Sequence, residues 1–269
     1  MKLDDLTISR SIIESYMEKL LGSLTVDVAL VGAGPSNLIA GYYLAKADLK
    51  AVIFEAKLAP GGGMWGGGMM FNEGVIQSDA LPIIKEIDIG FKDKGGGYYT
   101  IDTVEATSTI ISRCLQEGTP IFNLIKATDV LFREEEGKKR VSGLVLNWSP
   151  VEHLGLSVDP LSIQASYIVD GTGHPADICT IITKKMDAKL NTRTGGVVGE
   201  MSLCANEGEQ FTVANTKEVF PGLYVAGMAA NNVFGGPRMG PIFGGMILSG
   251  KKVAEIISLK AKGKNRELE

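Results

Sequence analysis

The chain has 269 residues, 45 % of them apolar, with a mean hydropathy of +0.13 and a net charge of −4. Glycine fills 34 positions, about 13 % against a usual ~7 %, in clusters without a three-residue period, which excludes a collagen-like chain, while the apolar content excludes disorder. The small acidic excess gives no attraction to nucleic acid or to an anionic membrane surface, so small molecules are the expected ligands.

The opening MKLDDLTISR has two early aspartates and no apolar h-region, so no signal peptide is expected. Thr7 is expected to cap a first helix in which Ile8, Ile12, Tyr16 and Leu20, flanked by Ile13, Met17 and Leu21, recur at helical spacing. One face of that helix should pack on the core or on a neighbouring subunit. Residues 26–31 read as a buried strand, followed by a glycine turn and a helix to about residue 46, and residues 50–54 as a second strand ending at Glu55. The uncharged run 28–45 is long enough to span a membrane, but Gly-Ala-Gly-Pro-Ser-Asn in its middle divides it into strand and helix. The glycine-rich stretch to residue 70 suits main chain lying against a ligand, with Met64, Met69 and Met70 as pliable wall residues.

Helical patterns at 79–87 and 103–116 precede strands at 120–124, 128–133 and 141–147, with REEEGKK as a solvated hairpin tip between the last two. Further strands are predicted at 162–169 and 222–226, then a final helix from Pro241 to about residue 262, ahead of a frayed charged tail. The pattern predicts an α/β, Rossmann-like dinucleotide-binding fold of the FAD/NAD-binding type with an inserted β-sheet. It is read as a single nucleotide-binding domain over 1–269, with an N-terminal helix and the inserted sheet around 120–170. Cys114, Cys179 and Cys204 show no CxxC spacing and signal neither disulfides nor a thiolate zinc site, which fits a cytoplasmic location.

Gly32-Ala33-Gly34-Pro35-Ser36-Asn37 follows an apolar strand and opens a helix, with Glu55 about 20 residues on, as a dinucleotide fingerprint requires. Gly32 serves the tight turn, Gly34 admits a pyrophosphate, and the helix start attracts its charge. Glu55 can accept from two ribose hydroxyls and opposes a 2′-phosphate, so NAD or FAD is expected rather than NADP. Asn37 replaces the third glycine of the fingerprint. The segment ending Ala226-Gly227 is like the strand of flavoproteins that returns beside the nucleotide, but Met228 stands where they usually carry an aspartate.

Taken together, the stretches ISRSIIESYMEKL, VDVALVGAGPSNL, VIFEAKLAPGGGMWGGGMMF, VDGTGH and GLYVAGMAANNVFGGPRMGPIFGGM resemble the thiamine thiazole synthase family, in particular its archaeal, sulfide-dependent branch. The resemblance implies an enzyme of thiamine biosynthesis that makes an ADP-linked thiazole carboxylate from NAD, glycine and sulfide with Fe(II), NAD being consumed as a substrate. It implies that Ser36, Glu55, Ala56, Gly63, Ala127 and Met228 contact the nucleotide, that Ser157, Val158 and Asp159 lie beside the reacting sugar, that Asp159 and His174 bind the iron, and that Arg238 binds the glycine carboxylate. It also implies a homo-oligomer, an octamer, with sites shared between subunits. Carboxylate and imidazole suit any of several first-row metals, and a guanidinium fork suits a carboxylate.

Relatives in fungi and plants carry a sulfur-donating cysteine at the position of Ser157, which has no sulfur to give; free sulfide and multiple turnovers are therefore expected. GHPAD stands where many relatives have GHD; Pro175 removes an acidic neighbour of His174, and Asp177 is expected to be solvated rather than to orient the imidazole. His153 is left outside the site, and Cys179 reads as a small buried apolar residue. The alternatives are an FAD-dependent oxidoreductase on the same fold and a non-catalytic NAD- or metal-binding oligomer.

Overall fold

A computed structural model describes residues 1–135, 137–186 and 188–266. Helix α1 (Asp5–Gly22) is capped by Asp4, whose carboxylate accepts from Thr7 N at 2.8 Å and Thr7 Oγ1 at 2.6 Å. The cap is thus Asp4 rather than Thr7, since the ionised acceptor satisfies two donors at once. Leu20 is its one buried residue; Ile8, Ile12, Ile13, Met17 and Leu21 are exposed.

Strand β1 (Thr25–Val31), helix α2 (Pro35–Lys46) and strand β2 (Ala51–Glu55) form the expected parallel unit, Val28 opposite Ala51 and Val31 opposite Phe54. The chain then builds β3 (Glu73–Gln77), α3 (Leu81–Glu86), β4 (Lys92–Gly95) and β5 (Tyr98–Asp102), in which β3, β5 and β4 make an antiparallel three-stranded sheet. No local pattern marks this sheet: β4 is wholly exposed, and the strands become recognisable through pairing with one another. Helix α4 (Thr103–Gln116) returns the chain to β6 (Ile121–Asn123), parallel to β2. A hairpin of β7 (Ile125–Glu135) and β8 (Lys138–Trp148) follows. Most of the expected polar tip is therefore strand; its Glu136 lies outside the described residues.

A short helix α5 (Ser149–Leu154) leads to β9 (Leu161–Asp170), which pairs with β8 through its first residues and with β1, in parallel, through its last. Helices α6 (Asp177–Lys185) and α7 (Ala205–Ala214) precede β10 (Lys217–Phe220) and β11 (Leu223–Val225), then α8 (Met228–Phe234) and α9 (Gly244–Arg266). The main sheet runs β10-β11-β9-β1-β2-β6, with the β7–β8 hairpin branching from β9. Alternate β1 residues serve opposite layers: Val28 and Leu30 join α2, α4 and α9, while Ala29 and Val31 join the hairpin, α6 and α8. Among the described residues no helix is long and apolar enough to cross a membrane.

The last helix starts at Gly244 rather than Pro241, because Ile242 bridges Val75 and Phe243 N donates to Val75 O at 2.8 Å, holding that segment extended on β3. It continues to Arg266, past the expected end near 262, and residues 267–269 of the tail lie outside the described residues. Glu209 of α7 is buried and accepts from Gly245 N at the start of α9. Burial pushes its carboxyl pKa up, against the lowering effect of that hydrogen bond.

One contact joins the carboxyl ends of β1 and β9. Gly32, at φ +86°, leaves no room for a side chain, since a Cβ would lie 2.8 Å from Gly171 O. Asn37, fully buried, donates through Nδ2 to Val31 O at 2.8 Å and Gly32 O at 2.9 Å, and a Cβ on Gly171 would lie 2.4 Å from that nitrogen. The close approach that a third fingerprint glycine would provide is therefore supplied by Asn37 together with Gly171. Gly171→Ala should cost about 1–3 kcal/mol in urea denaturation, and less in an Asn37→Ala background; equal losses in both would refute the contact. Glu209→Gln keeps an acceptor for Gly245 but cannot ionise. A raised folded-state pKa contributes stability that is complete below the ordinary value of 4.5 and is lost as pH rises through the raised value. The urea midpoint of Glu209→Gln should consequently fall less than that of the parent as pH rises from about 4 to 8.

Candidate functional site

The carboxyl ends of β1, β2, β9 and β11 open into a cavity of about 710 Å³, the position at which open α/β sheets bind ligands. Gly32, Gly34, Ser36, Glu55, Ala56, Gly63, Ala127, His174, Met228 and Arg238 all line it. These residues come from the fingerprint turn and the start of α2, the end of β2, the glycine-rich loop, the start of the hairpin, the loop after β9, the start of α8 and the segment after it. Gly34 is the N-cap of α2 and supplies no side-chain cap, so the first-turn amides are left for an anion.

Glu55 is 7 % exposed at the end of β2. Its Oε2 accepts from Ala33 N and its Oε1 from Lys57 N, each at 2.7 Å. The carboxylate thus ties the fingerprint turn to β2, and each oxygen keeps a further lone pair with which to accept from a ribose hydroxyl. Lys57 and Lys126, both exposed, line the same end of the cavity and carry no motif by which the sequence could single them out.

The loop carrying His174 stands on Asp170, which is fully buried. Asp170 Oδ1 accepts from Thr172 N at 3.1 Å and Thr172 Oγ1 at 2.7 Å, and Oδ2 accepts from Cys179 N at 3.0 Å. Thr172 Oγ1 in turn accepts from Asp177 N at 2.8 Å. His174 is more than half exposed; its Nδ1 lies 2.6 Å from Glu200 Oε1, and Glu200 Oε2 lies 3.9 Å from Arg238 Nε. Glu200, which stands in no recognisable motif, is therefore the imidazole's partner. Asp177 takes no part in that contact, but it is half-buried in the cavity lining rather than solvated on the surface.

Ser157, Val158 and Asp159 sit on the exposed connection between α5 and β9, outside the lining of their own chain's cavity. The fold of one chain does not bring Asp159 and His174 together there. Among the described residues no group of three or more His, Cys, Asp or Glu side chains could hold a metal. His153 is exposed on α5. Cys114 and Cys179 are buried; burial pushes the Cys114 thiol up to about 12 and that of Cys179 well above its ordinary range. Cys204, half-buried before α7, is not part of the cavity lining.

The profile of the Thi4 family matches residues 9–243. A thiamine thiazole synthase of Methanothermobacter thermautotrophicus is 53 % identical over 262 residues, covering 97 % of this chain and all of the relative. One from Desulfosudis oleivorans is 51 % identical over 254 residues, 94 % of this chain and 97 % of the relative. The crystal structure of Thermovibrio ammonificans THI4 superposes with a TM-score of 0.96 at 51 % identity, over 97 % of this chain and all of the other.

Glu55→Gln sets an amide donor against one of two backbone donors. It should lower the unfolding free energy by about 1–3 kcal/mol in urea denaturation, and an unchanged midpoint would show that the carboxylate does not hold the turn.

Proposed function

This chain belongs to the Thi4 family, and from that premise we propose that it assembles an ADP-linked thiazole carboxylate from NAD, glycine and sulfide with Fe(II). That it is an enzyme forming the thiazole of thiamine follows from relatives that match it at about half identity over nearly their whole length. The choice of substrates is supported chiefly by one observation: a single cavity gathers a helix start without a side-chain cap, a carboxylate, an imidazole and a guanidinium.

The parts divide the work by chemistry. The α2 amides meet the pyrophosphate of NAD, and Glu55 accepts from its adenosine ribose. Arg238 offers a planar fork to the glycine carboxylate. His174, whose Nδ1 is bonded to Glu200, has Nε2 for a metal, and imidazole with a carboxylate behind it fits a divalent first-row ion. Fe(II), when bound, supplies open positions at which sulfide and the glycine-derived atoms meet.

Asp159, exposed and away from its own chain's cavity, would complete the site of a neighbouring copy. The exposed apolar residues of α1, together with Leu154, Leu156 and Val158 beside Asp159, support an assembly of copies, for which we propose the octamer. Ser157 has no sulfur, and the buried, protonated Cys114 and Cys179 are poor donors, which supports free sulfide as the source.

The test is anaerobic incubation with Fe(II), NAD, glycine and sulfide, followed by mass spectrometry of product and protein. Several thiazole products per chain at unchanged protein mass are expected. A single product per chain with loss of sulfur from a cysteine would overturn the sulfide reading, and NAD bound but never consumed would overturn the enzyme itself.

A further inference from the structure

One carboxylate of the cavity wall carries an unassigned task. Glu200 is 17 % exposed, and its two oxygens are directed to different partners, Oε1 to His174 Nδ1 at 2.6 Å and Oε2 toward Arg238 Nε at 3.9 Å. The three side chains come from three separate segments, and main-chain bonds bring those segments together. Gly199 N donates to Asn232 O at 3.0 Å, Met201 N to Gly236 O at 2.9 Å, and Arg238 N to Met201 O at 3.3 Å, so the segment bearing Glu200 pairs with the one bearing Arg238. Asn232 also donates through Nδ2 to His174 O at 2.6 Å, which attaches the third segment to the same frame. Glu200 is therefore not a surface carboxylate that has met a cation by chance. Its backbone is fixed relative to both partners.

Resting on the functional reading above, we propose that Glu200 is a positioning residue that sets the metal-binding imidazole and the carboxylate-binding guanidinium in register. By accepting from Nδ1–H it selects the His174 tautomer whose Nε2 lone pair is available to a metal, and it makes that nitrogen a better donor. By drawing the Nε edge of Arg238 toward itself it leaves the two terminal nitrogens to form the fork for a substrate carboxylate. One side chain would thereby set the spacing between the imidazole that would hold the metal and the guanidinium that would hold the glycine carboxylate, a geometric condition on which rate depends steeply.

The experiment compares the full chain with Glu200→Gln, Glu200→Ala and His174→Ala in two measurements. Co(II) is titrated into metal-free protein and followed by its absorption bands, and kcat and KM for glycine are determined separately. Glu200→Ala should weaken Co(II) binding about 10–100-fold and raise the glycine KM, while Glu200→Gln, whose Oε1 can still accept from Nδ1–H, should recover part of both. Unchanged Co(II) affinity and glycine KM in both Glu200 variants would overturn the proposal alone. Loss of Co(II) binding in Glu200→Gln as complete as in His174→Ala would also overturn it, making Glu200 a ligand instead. Co(II) binding that His174→Ala leaves intact would overturn the metal reading of the site and this proposal with it.

Discussion

The architecture depends on the close passage of two stretches of main chain at the carboxyl edge of the sheet, Gly32 leaving β1 and Gly171 leaving β9. Asn37 fills the space between them and satisfies carbonyls of the first stretch, and Gly171 N donates to Val31 O at 3.0 Å. Because these groups are buried, a displaced chain would leave hydrogen-bonding atoms unpaired as well as crowd its neighbours. That crossing fixes β9 beside β1. It also places the loop bearing His174 next to the fingerprint turn, so that both line one cavity.

From this crossing the remaining parts of the site follow by short steps of hydrogen bonding. Glu55 ties the turn to β2, and Asp170 props the loop after β9 from beneath through Thr172 and Cys179. Asn232 and Glu200 join that loop to the segment carrying Arg238. Each of these carboxylates and amides does structural work at atoms that adjoin the proposed chemistry. The binding groups are thus supported by bonds to rigid neighbours, the condition under which a site holds its geometry without help from the ligand.

The same chain leaves other surfaces without partners of its own. α1 buries one residue against the domain while presenting most of its apolar side chains outward, and the connection bearing Asp159 does likewise with Leu154, Leu156 and Val158. Apolar side chains exposed in numbers on one helix and one connection are in keeping with the proposed assembly in which Asp159 serves another copy.

Sequence alone determined the parts of the molecule whose signals are local. The parallel β1-α2-β2 unit announces itself because strand periodicity, glycine turn and acidic strand end lie within one short stretch, and the strands around 120–170 do so through their apolar runs. Local pattern likewise singled out Gly32, Gly34 and Glu55, and the resemblance supplied Ser36, Ala56, Gly63, Ala127, Met228, His174 and Arg238; all of them line one cavity. Tertiary structure decided what depends on pairing across distance. The β3-β5-β4 sheet has an exposed polar member with no periodicity to detect, and α9 begins late because Ile242 and Phe243 are engaged by β3. Glu200 became visible through contacts to residues far from it in sequence, and Asp159 lies outside the lining of its own chain's cavity. Propensity and spacing act between neighbours along the chain, whereas the partner of a carboxylate is whatever the fold brings within hydrogen-bonding reach.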